Sequence, residues 1–205
     1  MSAAAPSGGA DFGEPPRIKR LRRALIKEIP RFPNDRSTLH HMQQKHVTDL
    51  MIDYFNWRSR YVGDRPRSVT VEPTASHDPR WSSMSAEIEA FLAKVRRGDD
   101  LSPYMSIRPH TQGYTPAAHV VGATSAEKWL DKDFVLNTKG YHHFHLGKVI
   151  EKKGHIERTN DMLLAEVTRD QFNVIAIFTH EVFALGSAEQ IRLAIVHEKI
   201  RFRGI

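Results

Sequence analysis

The sequence predicts an α+β fold: a helical N-terminal half packed with a small antiparallel β-sheet, and a closing C-terminal helix. Three observations carry this. Apolar residues recur at three- and four-residue spacing as far as about residue 133. Between residues 141 and 178 the period changes to two. A capped segment with apolar residues at helical spacing then closes the chain. At 205 residues, 40% of them hydrophobic, the chain suits one domain with an appendage. A single domain is expected over 37–205, with a boundary near 100–123 as the fallback.

The first sixteen residues, MSAAAPSGGADFGEPP, are small and rich in Pro and Gly. They cannot bury enough surface to offset the entropy of ordering, so a disordered leader is expected there. Residues 17–36 form a basic arm whose core, RIKRLRRALIKEI, places Ile18, Leu21, Leu25 and Ile29 on one helical stripe. A long helix is expected from Thr38 to Tyr61, on the spacing of Leu39, Met42, His46, Leu50 and Tyr54. SVTVEP alternates as a short strand. Ile88, Phe91, Leu92 and Val95 predict a helix over 85–97, stopped by Gly98. A long irregular stretch follows, carrying Tyr104, Arg108, His110 and Tyr114, all groups able to line a site. Thr124 and Glu127 form a capping box for a short helix ending near Asp133. The segments 141–150, 162–167 and 172–178 read as strands, the last two joined as a hairpin by TRDQ. The third strand is apolar on both faces, so it should be central or covered by helices. Ser187 caps the final helix, and Ile191 and Ile195 are expected to pack inward.

There is no cysteine, which excludes a disulfide framework, thiolate metal sites and a cysteine nucleophile. A reducing, cytoplasmic setting is expected. No apolar run reaches the ~20 residues that span a bilayer, and no secretory h-region follows the first residues. The net charge is +6, and it is local. Residues 17–36 hold eight Lys/Arg against two acids, leaving 22 basic and 22 acidic residues elsewhere. Such an arm suits a phosphate backbone or an acidic partner. Arg20, Arg22 and Arg23 are its candidate nucleic-acid contacts. Arg58 and Arg60, interleaved with aromatics in YFNWRSRYVG, are two more; the same pattern also describes packing residues with snorkelling arginines.

The stretch KGYHHFHLG packs His142, His143 and His145 into four positions. On a strand, His142 points with Phe144 and Leu146, while His143 and His145 share the opposite face, roughly 7 Å apart. His180 ends the strongest strand, Arg158 and Thr159 precede the second, and Lys148 follows the first. Three roles fit these residues. His143, His145, Lys148, Arg158, Thr159 and His180 can form an acid/base site, with imidazoles moving protons and cations stabilising a crowded anionic phosphorus. That is the chemistry of a ribonuclease without a cofactor, the RNA's 2′-hydroxyl being the nucleophile. Alternatively, His143, His145 and His180 ligate zinc or another divalent metal in a hydrolase. In the third role the histidines are packing residues in a non-catalytic nucleic-acid or protein binding module.

The stretch from Tyr141 to Phe183 resembles the sheet of RelE/ParE-type bacterial toxins. Arg158, Leu163–Val167, Asp170, Val174–Phe178, His180 and Phe183 fit that rhythm. The resemblance implies a small antiparallel sheet flanked by helices and, on the RelE side, metal-independent RNA cleavage by basic and imidazole groups. It also implies a toxin or defence role of prophage type and an antitoxin-like or other protein partner. ParE-like members poison gyrase instead, so the fold alone does not fix the activity. The chain is about twice the usual length of such toxins, and the helical segment 17–133 has no counterpart in them.

Overall fold

The structure, a computed structural model, describes residues 14–149, 151–152 and 154–202. The leader expected at 1–16 falls outside these residues up to position 13. Twelve regular elements follow in order: α1 (Pro16–Glu28), α2 (Arg36–Gln44), α3 (Val47–Arg58), β1 (Ser68–Val71), α4 (Pro73–Ser76), α5 (Pro79–Ser83), α6 (Ser85–Arg97), α7 (Phe134–Lys139), β2 (Tyr141–His145), β3 (Asp161–Val167), β4 (Gln171–Thr179) and α8 (Ala188–Arg201). Short 3₁₀ turns fill the segment between α6 and α7. The architecture is α+β, with α8 closing it.

The four strands lie in the order β1-β4-β3-β2. β2, β3 and β4 pair antiparallel, as expected. β1 joins β4 in parallel, so the sheet is mixed rather than wholly antiparallel. The long excursion between β1 and β4 gives the chain the crossover that a parallel pairing needs. β4 is apolar on both sides because both faces are covered. Phe172, Val174 and Ile177 meet α6 residues Ile88, Phe91, Leu92 and Val95, while Ile175, Ala176 and Phe178 meet Leu193 and Val196 of α8. Ile175 and Ala176 are consecutive yet share a face. A bulge opposite Leu164/Ala165 removes one residue from the alternation there.

A third apolar cluster joins α1, α2 and α3 through Leu25, Ile26, Ile29, Met42, Leu50 and Trp57. The arm of 17–36 therefore supplies three side chains to a core while its basic residues Arg20 and Arg23 face solvent. Tyr114 is inserted into this cluster from the irregular segment, its ring stacked on His119 and its hydroxyl against His41 Nδ1. Main-chain bonds from Gly113 and Tyr114 to the Pro30 carbonyl pin that segment to the helices.

Three local expectations are corrected. The helix expected over 38–61 is two helices. Lys45 and His46 adopt extended backbone, and the His46 ring accepts the Thr48 N–H at 3.3 Å. The turn brings Lys45 Nζ to 2.6 Å from Asp53, whose carboxylate is buried. The Thr124–Glu127 capping box forms, but it opens only a 3₁₀ turn, and the helix starts at Asp133 instead of ending there. In α8, Ile191 and Ile195 are 58% and 51% exposed, and Leu193 and Val196 point inward. Arg192 sets this rotation: its guanidinium lies 3.9 Å from the Phe178 ring centroid and donates to the Ile177 carbonyl.

Phe91 touches Tyr104, Phe144 and Phe172 with ring centroids 4.9, 5.1 and 5.8 Å away, and it is fully buried. Phe91→Ala should cost about 3–5 kcal/mol in urea unfolding. Ile191→Ala, on the exposed side of α8, should stay within about 0.5 kcal/mol.

Candidate functional site

β2 is an edge strand, and its alternation decides what the histidines face. His142 lies on the α6 side with Phe144, its ring stacked on that of Phe144. Its Nε2 donates to the Ser59 carbonyl, 3.0 Å away. His143 and His145 lie on the other side with Tyr141, their ring centroids 5.7 Å apart. There they reach a cavity of about 620 Å³. His180 joins them from the end of β4, stacked on His145 at 5.2 Å. Arg158 and Phe183 stand on the same cavity, whose lining also includes Arg60, Arg108, Trp129, Lys132, Asp133 and Phe134.

The segment holding Arg158 is fixed by a close approach of two chain stretches. A Cβ on Gly147 would sit 2.2 Å from the Glu157 carbonyl oxygen, so only glycine lets the chain after β2 lie against Glu157. Thr159 secures the same crossing, its hydroxyl donating to the carbonyls of Asp161 and Leu146 at 2.8 and 3.2 Å.

Asp133 is the residue that sequence reasoning missed. One oxygen accepts the Leu136 N–H at 3.0 Å and so caps α7. The other lies 2.9 Å from His143 Nδ1. The contact is one of ion-pair distance, without the alignment of a hydrogen bond, and among the described residues no protein group bonds His143 Nε2 at the cavity. The only sequence signal for Asp133 was its place before the apolar triplet FVL. It read as the end of one helix when it is the cap of the next.

The electrostatics separate the imidazoles. Burial pushes His145 down to about 3, and the charges of His143, Arg158 and His180 act in the same direction. Burial also lowers His180; the Asn160 carbonyl that accepts its Nδ1–H at 3.1 Å opposes this, and the charges of His143 and Arg158 reinforce it. Both rings are therefore neutral at pH 7. Burial resists ionisation of Asp133, but the His143 charge and the bonds to His143 and Leu136 outweigh it, leaving the carboxyl below its ordinary value. Arg60 is 6% exposed, and its Nη1 donates to the carbonyls of Gln112 and Asp131 at 2.7 and 3.2 Å. Among the described residues no carboxylate forms an ion pair with it. The cavity walls carry Arg60, Arg108, Lys132 and Arg158 against Asp133, a fixed charge of 4 − 1 = +3.

Of the six residues expected in an acid/base site, the structure brings four together: His143, His145, Arg158 and His180. Lys148 stays outside, 80% exposed and 3.4 Å from Glu87. The Thr159 hydroxyl is committed to the main chain. Among the residues expected to contact nucleic acid, Arg60 lines the cavity. Arg58 lies over the rings of Trp57 and Tyr61, 5.4 and 5.1 Å from their centroids. Arg22 is bound to Glu14 and the carbonyls ending α2. Arg20 and Arg23 are exposed on α1, away from the cavity lining. Among the described residues no set of three or more His, Asp or Glu is arranged to hold a metal ion. No helix among them is long and apolar enough to cross a membrane. Comparison with protein-family models, curated proteins and solved structures finds no match to this chain.

Stability should fall with acid in a defined window. His145 stays neutral in the fold, whereas in the unfolded chain it takes a proton near 6.5. Between those values the unfolded chain binds more protons, so stability drops as pH falls from about 6.5 towards about 3. Asp133 acts in the same direction, its contribution being lost as pH falls through its lowered pKa. His145→Gln should flatten the curve of unfolding free energy against pH between 6.5 and 4, measured by urea titration.

Proposed function

We propose that the cavity is the active site of a metal-independent endoribonuclease of toxin or defence type. The observation that supports this most directly is an imidazole, His143, whose Nδ1 lies 2.9 Å from the largely covered carboxylate of Asp133 at the wall of a cationic cavity. An Asp–His pair fixes ring orientation and tautomer, and it stabilises the imidazolium formed when the ring takes a proton. The surrounding Arg and Lys residues suit a phosphodiester. Trp129, Phe134 and Phe183 supply faces on which a base can stack.

In the proposed reaction, His143 Nε2 removes the proton of the RNA 2′-hydroxyl. The 2′-oxygen forms a bond to phosphorus, and the bond from phosphorus to the 5′-oxygen breaks. The departing oxygen takes a proton from water at the cavity mouth, and His143 returns its own to the hydroxide left behind. Products are a 2′,3′-cyclic phosphate and a 5′-hydroxyl. Arg158 and Arg60 neutralise the charge that builds on the phosphoryl oxygens. His145 and His180, neutral at pH 7, serve as uncharged hydrogen-bonding groups in this scheme rather than as the protonated acid. The buried His145 Nδ1 has no protein partner.

Purified protein should cleave single-stranded RNA in EDTA and leave cyclic phosphate ends. His143→Ala should slow cleavage about 10²–10⁴-fold. Asp133→Asn keeps the cap of α7, so it should fold, lose activity and displace the pH–rate profile. RNA that stays intact with the native protein in EDTA, in both neutral and mildly alkaline buffer, refutes the assignment.

A further inference from the structure

A second cationic groove lies behind β2, on the side opposite the His143 cavity. It measures about 510 Å³ and is lined by Tyr61, Asp64, Arg65, Arg67, His142 and Arg169, among others. Its fixed charge is 3 − 1 = +2. Arg67 is the notable member. It is 8% exposed, with Nε donating to the Thr168 carbonyl at 3.0 Å and Nη1 to those of Gly63 and Arg65 at 3.0 and 3.3 Å. Among the described residues it meets no carboxylate, and its Nη2 has no protein partner. A guanidinium this far from water is costly without a counter-ion. The carbonyls lock its orientation and leave one edge for an anion. His142 adds a buried, unpartnered Nδ1 to the same groove. Arg65 and Arg169 stand at the rim, Arg169 78% exposed and 3.9 Å from an equally exposed Asp170.

The two cavities share their boundary. Ser59 and Tyr61 line the groove and Arg60 lines the cavity; His142 lines the groove and His143 the cavity. Over this boundary, exposed Arg58 lies on the rings of Trp57 and Tyr61. We propose that the groove holds a backbone phosphate of the same RNA strand whose scissile linkage occupies the His143 cavity, the strand crossing over the last turn of α3. This rests on the ribonuclease assignment and adds that the substrate is an extended single strand rather than a mononucleotide or dinucleotide.

The test uses the full chain carrying His143→Ala, so that RNA is bound but not cut, with Arg65→Glu and Arg169→Glu added in a second protein. Fluorescence anisotropy with a 12-mer and a 3-mer of single-stranded RNA reads the affinity. The double reversal should weaken the 12-mer at least about tenfold, reduce its log–log salt slope by about 0.7, and leave the 3-mer unchanged. Equal 12-mer affinity in the two proteins overturns the groove assignment, even if the native protein cleaves RNA in EDTA. A tenfold loss without cleavage by the native protein keeps the groove and refutes the ribonuclease. If neither RNA binds, both fall. If inorganic phosphate protects the Arg65/Arg169 protein against heating but not the double reversal, while 12-mer affinity is equal, the groove takes a free anion and the strand assignment is wrong.

Discussion

The carboxylate of Asp133 is the joint on which the site depends. A carboxylate largely removed from water must find partners for its oxygens or give up its charge. Here each oxygen has a separate task, one accepting the Leu136 N–H in the first turn of α7 and the other facing His143. Helix α7 packs beside β2, so capping the helix and orienting the imidazole are one geometric event. The charge on Asp133 persists because two partners compensate its burial. Without either one, the other loses its anchor.

The sheet supplies the rigidity this joint needs. β3 and β4 are buried on both faces, and β2 is paired with β3 along its whole length. The edge position of β2 leaves its outer side for contacts with the end of α3, through His142 and Ser59. One strand therefore presents imidazoles to two separate surfaces. Period-two alternation, applied to three histidines in four positions, is sufficient to cause it.

Much of the sheet was legible in the sequence, because alternation and turn chemistry are local. The hairpin at 168–171, the shared face of His143 and His145, and the helix over 85–97 all follow from patterns within a few residues. The failures have one cause, which is competition from distant partners. Lys45 leaves the helical path where Asp53 receives its charge. Ile191 and Ile195 lose the inward side to Leu193 and Val196 because Arg192 is held by Phe178 and the Ile177 carbonyl. Asp133 was unreadable as a site residue because its partner is ten positions away across a turn. Lys148 and Thr159 had the right chemistry and the right neighbourhood, but one is drawn to Glu87 and the other to main-chain carbonyls. Composition does not encode those distances.

Arg60 has a consequence beyond its charge. Its guanidinium grips two carbonyls, Gln112 and Asp131, that bracket most of the irregular stretch between α6 and α7. That stretch is also laced to the first helices through Tyr114 and the Pro30 carbonyl. Arg60 thus fixes two points of a stretch that is also pinned to the helices. The wall of the cavity and the helical cluster of the first third of the chain are therefore joined through one irregular stretch.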